Sequence, residues 1–196
     1  MKKILLVVAI AAALSACSKE APEANRPGAP AIIQVETNSP QAYDVVAQKA
    51  KGFSVGQMMS SKTVYVLFDP KCPHCAHLWE NTKALHSGVH FVWIPVSLLG
   101  NAEMKQESAN EGAALLKAAS IDAMDKHEKA LLSGKPTAMD GATDELRTQV
   151  KVNNEVALQI KMDSVPLMFY KDAATGAVRT ASGGLTADEV KKRLGL

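Results

Sequence analysis

The sequence predicts an α/β protein in which helices flank a mixed β-sheet. Two strand-like apolar runs, 63–68 and 89–96, lie on either side of a segment with helical spacing, 75–86. Helix-forming residues fill a long central block at about 101–162, and strand-like runs return near the C-terminus. This order of strand, helix, strand, helical block, hairpin and helix predicts a central sheet covered by helices.

Local signals give the boundaries of the other elements. Residues 31–35 form a short apolar run that predicts a strand, and Ser39 followed by Pro40 is typical of a helix N-terminus, here of a helix to about Lys51. Breaks that contain glycine or proline divide the central block into three helices, which are predicted at 103–119, 121–132 and 143–162. Pro95 lies near the end of the second strand-like run, and a proline there suits an edge strand or a bend in the strand.

The C-terminal part of the chain predicts a hairpin and a final helix. Strand-like residues at 166–170 and 177–180 are joined by a glycine turn. Thr186 and Glu189 have the spacing of a capping box, in which each side chain satisfies a backbone N–H of the other residue. The last helix is therefore predicted to begin after Thr186 and to run to Leu194.

Residues 1–16 have the composition of a signal peptide. A basic start is followed by an apolar run at 4–14 and by the small residues Ser15 and Ala16. The apolar run is shorter than the roughly 20 residues that a transmembrane helix needs. Residues 1–16 are therefore predicted to be removed and to lie outside the fold.

The four residues that end at Cys17 resemble the lipobox of bacterial lipoproteins. In that family the signal is cut before the cysteine, so the resemblance implies lipidation of Cys17; an ordinary signal peptide is the alternative. Residues 17–30 contain three prolines and predict a flexible tether to a domain at 31–196. Ser18 implies sorting to the outer membrane of a bacterial envelope, with the domain facing the periplasm, where disulfides persist.

The charge and the cysteine content narrow the possible functions. The formal charge of the chain is +2, and loss of Lys2 and Lys3 with the signal leaves a formal charge of zero. This balance does not indicate a nucleic-acid partner, and we expect none. The chain has three cysteines, so a lipidated Cys17 leaves Cys72 and Cys75. These two cannot form a disulfide framework, and their C-x-x-C spacing indicates redox chemistry.

The pair Cys72 and Cys75 lies where a predicted strand passes into a predicted helix. The free N–H groups and partial positive charge of a helix N-terminus stabilise a thiolate, which is the nucleophile of thiol–disulfide exchange. We therefore expect an exposed Cys72 of low pKa and a buried, resolving Cys75. Pro73 suits the first helical turn because it has no N–H to satisfy there. His74 either stabilises the Cys72 thiolate or is a solvated turn residue.

The run 72–75 and its surroundings resemble the thioredoxin-fold Dsb family of thiol:disulfide interchange proteins. Cys-Pro-His-Cys is the motif of the oxidase DsbA, whereas residues 65–70 before it and 78–79 after it are more similar to DsbG and DsbC. Residues 164–167, Ser-Val-Pro-Leu, occupy the place of the family's cis-proline loop. The resemblance extends from about Val64 to the C-terminus.

This resemblance implies a thioredoxin fold with a helical insertion at about 101–162, between the C-x-x-C helix and the cis-proline strand. The catalytic residues that it implies are Cys72, Pro73, His74 and Cys75. It also implies a cis Val165-Pro166 bond that presents the backbone of Val165 to an incoming peptide. The acidic residue that thioredoxin and DsbA carry six positions before the first cysteine is Val66 here, so proton transfer to Cys75 needs water or another group.

The resemblance further implies the partners and leaves the direction of the reaction open. Protein thiols and disulfides are the expected substrates, a DsbB- or DsbD-like membrane protein is expected to recycle the site, and no cofactor is expected. The Pro-His dipeptide and Val165 favour an oxidase; the DsbG-like flanks favour the alternative, a reductase or isomerase kept reduced. Isomerases of that branch carry an N-terminal dimerisation domain, for which the roughly 30 residues between the tether and Thr63 are too few, so we expect a monomer.

A more distant alternative is a copper- or zinc-binding lipoprotein that uses Cys72 and Cys75, with His74 and His77, as ligands. A structural zinc site needs a second pair of ligands, and the sequence has no further cysteine to supply it. Attachment of a c-type haem requires a histidine directly after Cys75, where the chain has Ala76. We therefore expect no metal.

Overall fold

A computed structural model of the chain describes residues 33–196. The signal peptide predicted at 1–16, the predicted lipid attachment at Cys17 and the tether predicted at 17–30 lie outside the described residues. The first two residues of the strand predicted at 31–35 lie outside them as well.

Five strands form one mixed sheet within residues 33–196. They are β1 (Phe53–Gly56), β2 (Thr63–Phe68), β3 (His90–Pro95), β4 (Leu167–Lys171) and β5 (Val178–Ser182), in the order β1-β3-β2-β4-β5. Strands β2 and β3 run parallel, and the other three pairs are antiparallel. Strand β2 therefore lies at the centre of the sheet, and its C-terminal end leads into the C-x-x-C segment.

Six α-helices surround this sheet in the described part of the chain. They are α1 (Pro40–Lys49), α2 (Pro73–Thr82), α3 (Ala102–Ala118), α4 (Ile121–Leu132), α5 (Asp144–Gln159) and α6 (Ala187–Leu194). Helix α2 continues into a short 3-10 turn, Lys83–Leu85, and α3 to α5 form the predicted insertion between β3 and β4. No helix within 33–196 combines the length and the apolar character needed to cross a membrane.

Two sequence predictions were wrong in detail, and one strand was missed. Residues 33–35 form no strand, because the backbone N–H of Val35 donates to the carbonyl of Gln159 at the end of α5 (2.9 Å) rather than to a neighbouring strand. Strand β1 was not predicted. Pro95 ends an interior strand, but β1 pairs with β3 only as far as Trp93, so no strand on that side requires an N–H from Pro95.

The two faces of the sheet carry separate apolar cores because neighbouring strand residues point to opposite sides. Val66 and Phe68 of β2 pack in the core that contains residues of α2, α4 and α6, whereas Leu67 packs in the core formed with α1 and α5. Trp79 of α2 and Trp93 of β3 are both fully buried, and their rings meet edge to face with centroids 5.2 Å apart. This contact fixes α2 on the sheet.

Asp69, directly after β2, connects three parts of the fold through a fully buried carboxylate. Its Oδ2 accepts the backbone N–H groups of Leu98 (2.8 Å) and Leu99 (3.1 Å) in the loop after β3. Its Oδ1 accepts the N–H of Lys71 (3.0 Å) and the hydroxyl of Ser108 in α3 (2.6 Å). The carboxylate therefore holds the C-x-x-C turn against both the neighbouring loop and the insertion.

We predict that Asp69→Ala lowers the free energy of unfolding by about 3 kcal/mol or more, because it leaves three N–H groups and one hydroxyl without their acceptor. Equilibrium denaturation of the reduced protein measures this loss. Asp140→Ala, which removes an exposed carboxylate, serves as the control and is expected to change stability by less than about 0.5 kcal/mol. Equal stabilities of the two variants would contradict the role of Asp69.

Candidate active site

Cys72 is the N-cap residue of α2 and has an extended backbone (φ −97°, ψ 111°), with Pro73 in the first turn. The other five helices within 33–196 have an N-cap side chain that accepts a hydrogen bond from the first turn: Ser39, Asn101, Ser120, Thr143 and Thr186. The N-cap side chain of α2, that of Cys72, accepts no such hydrogen bond. The first N–H groups of the helix are therefore available to the sulfur of Cys72.

The pKa of Cys72 is lowered to about 7 by its neighbours. The largest cause is a hydrogen bond from the Cys75 thiol, and the backbone N–H groups of Cys75 and His74 add to it. Burial and the negative charge of Asp69 act in the opposite direction. Because hydrogen bonds to the sulfur outweigh the loss of water, a large fraction of Cys72 is thiolate at neutral pH.

Cys75 lies one turn further along α2 and is fully buried. Burial raises its pKa well above the ordinary value, and the hydrogen bond to Cys72 and the charges of Cys72 and Glu128 raise it further. The two thiols thus differ in protonation at neutral pH: Cys72 is prone to ionise, and Cys75 keeps its proton. Such a pair can close to a disulfide only if Cys75 gives up that proton.

A cis Val165-Pro166 peptide bond lies opposite the cysteines, directly before β4. The sulfur of Cys72 is 3.6 Å from the carbonyl oxygen of Val165, and the Val165 side chain packs against the core that contains both cysteines. Cys72 is only 4% exposed, so the expectation of an exposed thiol was wrong. The segment with the cis bond lies over the sulfur and leaves only a small opening.

The residues around this opening are exposed. Pro73, His74 and His77 are exposed on the first turns of α2. Gly184, in the loop before α6, comes so close to α2 that a Cβ there would be 3.2 Å from the carbonyl oxygen of His74. In the structure His74 acts on Cys72 through its backbone N–H, and the tuning role of its imidazole stays a prediction.

A cluster of buried and partly buried charged side chains begins at Lys71, next to Cys72. Lys71 Nζ contacts Glu111 Oε1 (2.7 Å), and Glu111 Oε2 contacts His127 Nε2 (3.0 Å). His127 Nδ1 contacts Glu128 Oε1 (3.3 Å), and the hydroxyl of Thr137 donates to Glu111 (2.8 Å). We call Lys71, Glu111, His127 and Glu128 the buried charge chain. It extends from the residue before Cys72 into α3 and α4.

The members of this chain have shifted pKa values. Burial alone would lower the pKa of His127, but its hydrogen bonds to Glu111 and Glu128 outweigh burial and raise the pKa to about 9. Burial raises the pKa of Glu128, against the opposing effect of His127. For Glu111, bonds from His127, Lys71 and Thr137 outweigh burial and lower the pKa. At neutral pH His127 is therefore a cation between two acids of unequal strength.

Sequence reasoning missed the buried charge chain and did not predict the buried contacts of Asp69. The sequence did contain a signal for buried charges. Glu111 lies on the same side of α3 as the buried residues Ser108 and Leu115. His127 and Glu128 lie on the same side of α4 as the buried Met124. Charged residues on the apolar side of a helix indicate buried partners. The partner Lys71 lies in another element, and no spacing rule connects it to α3.

The described part of the chain, 33–196, contains no group of three or more His, Cys, Asp or Glu side chains arranged to hold a metal ion. No model of a protein family matches the sequence. No curated protein matches it either.

Solved structures resemble the chain at low sequence identity. ScsC of Proteus mirabilis, in a transitional conformation, is 16% identical over 82% of this chain and 80% of that chain, with a TM-score of 0.58. The thiol-disulfide exchange protein alpha-DsbA2 of Wolbachia pipientis is 16% identical over 79% and 91% of the two chains, with a TM-score of 0.54. A thioredoxin-like oxidoreductase of Silicibacter pomeroyi is 16% identical over 78% and 95%, with a TM-score of 0.56.

These likenesses concern the fold. The five-strand sheet, the helix after β2 and the insertion between β3 and β4 form a thioredoxin fold with a helical insertion, as the sequence predicted. In this fold the C-x-x-C turn and the cis-proline segment meet at one end of the sheet, which is where the structure brings Cys72 and Val165 together.

We predict that Cys75→Ala raises the pKa of Cys72 above about 7, towards the ordinary thiol value of roughly 8.5, because it removes the largest stabilising hydrogen bond. The ultraviolet absorbance of the thiolate, followed against pH, measures this pKa. Cys75→Ser keeps a donor at the same position and is expected to remain closer to the wild-type value. A pKa in Cys75→Ala that is equal to or below the wild-type value would contradict the assignment.

Proposed function

We propose that the chain is a thiol:disulfide oxidoreductase that exchanges disulfides with protein substrates through Cys72 and Cys75. The observation that supports this most strongly is the opposite shift of the two thiol pKa values. Cys72 has a pKa lowered to about 7 at a helix N-terminus, and Cys75 is held protonated one turn behind it. The low-identity structural relatives, one of them a thiol-disulfide exchange protein, agree with this proposal.

The exchange follows from the positions of these sulfur atoms. The Cys72 thiolate attacks a substrate disulfide, forms a mixed disulfide and releases one substrate thiolate. Cys75 then loses its proton and attacks Cys72 Sγ, so that the Cys72–Cys75 bond forms and the second substrate thiolate leaves. In the reverse direction a substrate thiolate attacks oxidised Cys72 and Cys75 leaves. A second substrate thiol then displaces Cys72 and completes the substrate disulfide.

Substrate binding is proposed to use the backbone of Val165. An extended peptide can pair with the backbone beside the cis bond as a short added strand, which brings a substrate sulfur towards Cys72. The exposed side chains of Pro73 and His74 and the close approach of Gly184 surround this position. Backbone pairing accepts many sequences, which suits an enzyme with several protein substrates.

We propose the oxidase direction, because stabilisation of the Cys72 thiolate favours the reduced form and makes the disulfide a better oxidant. The alternative is a reductase or isomerase that is kept reduced. The location is proposed from the sequence: a lipid on Cys17 anchors the protein to the outer membrane with the domain in the periplasm. A DsbB-like membrane partner is proposed to reoxidise a monomeric enzyme.

Mixed-disulfide trapping tests the exchange reaction. In cells that express the full chain, Cys75→Ala is expected to accumulate covalent adducts with envelope proteins, because Cys72 can still attack and nothing resolves the bond. Non-reducing gels before and after addition of a thiol reductant show these adducts. Cys72→Ala is the matched control and should show none. Turnover of a disulfide substrate by Cys72→Ala would refute the proposal.

The redox state of the pair in growing cells tests the direction. Acid quenching followed by alkylation of free thiols with a heavy maleimide shifts a reduced protein on a gel and leaves an oxidised one in place. We expect Cys72 and Cys75 to be protected as a disulfide at steady state. Two alkylated cysteines would show that the chain is kept reduced and would favour the reductase or isomerase.

A further inference from the structure

The exchange mechanism leaves one proton without an acceptor. Cys75 is fully buried, and burial raises its pKa well above the ordinary value. It must nevertheless lose a proton each time it attacks Cys72 and regain one each time it leaves. A buried thiol far from its pKa reacts slowly unless a nearby base accepts the proton. The following inference rests on the proposed exchange reaction but not on its direction.

The carboxyl group of Glu128 is buried, and only one of its two oxygens has a hydrogen-bond partner among the described residues. The Glu128 side chain is completely buried, and Oε1 contacts His127 Nδ1 at 3.3 Å. Within residues 33–196 its second oxygen, Oε2, has no hydrogen-bond partner. A buried carboxylate oxygen without a partner is unfavourable by about 1–3 kcal/mol, so a purely structural role does not account for it.

Helices α2 and α4 pack against each other, and Cys75 and Glu128 both lie in their interface. Asp125 Oδ1 accepts the indole N–H of Trp79 at 2.6 Å and contacts Lys83 Nζ at 2.6 Å, which fixes the alignment of the two helices. Cys75 lies one turn before Trp79 on α2, and Glu128 lies one turn after Asp125 on α4. Residues one turn apart share a helix face, so Cys75 and Glu128 belong to the same interface.

The electrostatics agree with this placement. The charge of Glu128 contributes to the raised pKa of Cys75, alongside burial and Cys72. Burial raises the pKa of Glu128 itself, with Glu111 and Glu80 acting in the same direction and His127 opposing them. A carboxyl group with a raised pKa exchanges protons closer to neutral pH than an exposed glutamate does.

Glu128 is also connected to the surface. His127 links it to Glu111, and Glu111 contacts Lys71 Nζ at 2.7 Å. Lys71 also contacts Glu107 Oε2 at 3.1 Å, and the Glu107 side chain is 55% exposed. The buried charge chain therefore gives Glu128 a hydrogen-bonded route through which its protonation can equilibrate with solvent.

We propose that Glu128 is the proton acceptor and donor for Cys75. Cys75 Sγ does not hydrogen-bond to Glu128 Oε2, so the proton crosses through one intervening water. When Cys75 attacks, its thiol proton passes through this water to the Glu128 carboxylate; the Cys75–Cys72 bond forms, the bond from Cys72 to the substrate breaks, and the substrate leaves as a thiolate. When a substrate thiolate opens the Cys72–Cys75 bond, the proton returns from the Glu128 carboxylic acid to the leaving Cys75. No external oxidant or reductant enters either step.

A symmetric chromogenic aryl disulfide separates the two steps. Attack of Cys72 on this probe releases one coloured thiolate, and resolution by Cys75 releases a second. With the full reduced chain at neutral pH, Glu128→Gln is expected to slow the second release by about 100-fold and to leave the first within about twofold. Asp122→Asn, which removes an exposed carboxylate from the same helix, is the control and should resemble wild type in both phases.

The pH profile distinguishes proton transfer from a merely structural role. In the wild type the second release should rise with pH until Glu128 is ionised and then level off, because the carboxylate rather than hydroxide accepts the proton. In Glu128→Gln it should keep rising about tenfold per pH unit, because only hydroxide removes the proton. Glu128→Asp, which restores an acid, should recover part of the neutral rate. Thermal unfolding of each variant establishes that it is folded.

Each outcome has a definite meaning. A second release in Glu128→Gln within twofold of wild type at neutral pH would overturn the inference. So would a wild-type second release that follows hydroxide concentration over the whole alkaline range, a result that requires no variant. A wild-type chain that releases no coloured thiolate at all would instead refute the proposed exchange function.

Discussion

The turn that carries Cys72 depends on one buried carboxylate, that of Asp69. It accepts hydrogen bonds from the turn itself, from the loop after β3 and from α3, so three segments distant in sequence share one anchor. A backbone N–H buried without an acceptor is strongly unfavourable, and Asp69 satisfies three of them. The position of Cys72 at the start of α2 follows from this anchor, since the N–H of Cys72 also donates to the carbonyl of Asp69 (2.9 Å). The same charge raises the pKa of Cys72, so the anchor partly opposes the thiolate.

Within the insertion, the buried charge chain is hard to explain by stability alone. Removing charges from water is expensive, and buried ion pairs can often be replaced by apolar residues without loss. Glu111 bonds to Lys71, His127 and Thr137, but Glu128 Oε2 is buried without a partner among the described residues. Of the four members of the buried charge chain, Glu128 raises the pKa of Cys75, so this part of the insertion influences one of the two thiols.

The sequence was sufficient for the parts of the fold that depend on local patterns. The strand before Cys72, the insertion helices and the capping box at Thr186 all follow from periodicity and from the residue types at helix ends. Strand β1 was missed because four residues ending in glycine carry too little pattern. The burial of Cys72 and the pairing of Lys71 with Glu111 could not be predicted, because both depend on segments that meet only in the folded chain.

The two halves of the candidate active site are far apart along the chain. Cys72 Sγ and the Val165 carbonyl lie 3.6 Å apart in space but are separated by 93 positions in sequence, with the whole insertion between them. A chain that emerges N-terminus first exposes its nucleophile long before the segment that covers it. An isolated helix as short as α2 is only marginally stable, so the N–H groups that lower the pKa of Cys72 are not yet ordered. Folding therefore has two opposite effects on this thiol: it lowers the pKa, and it covers the sulfur.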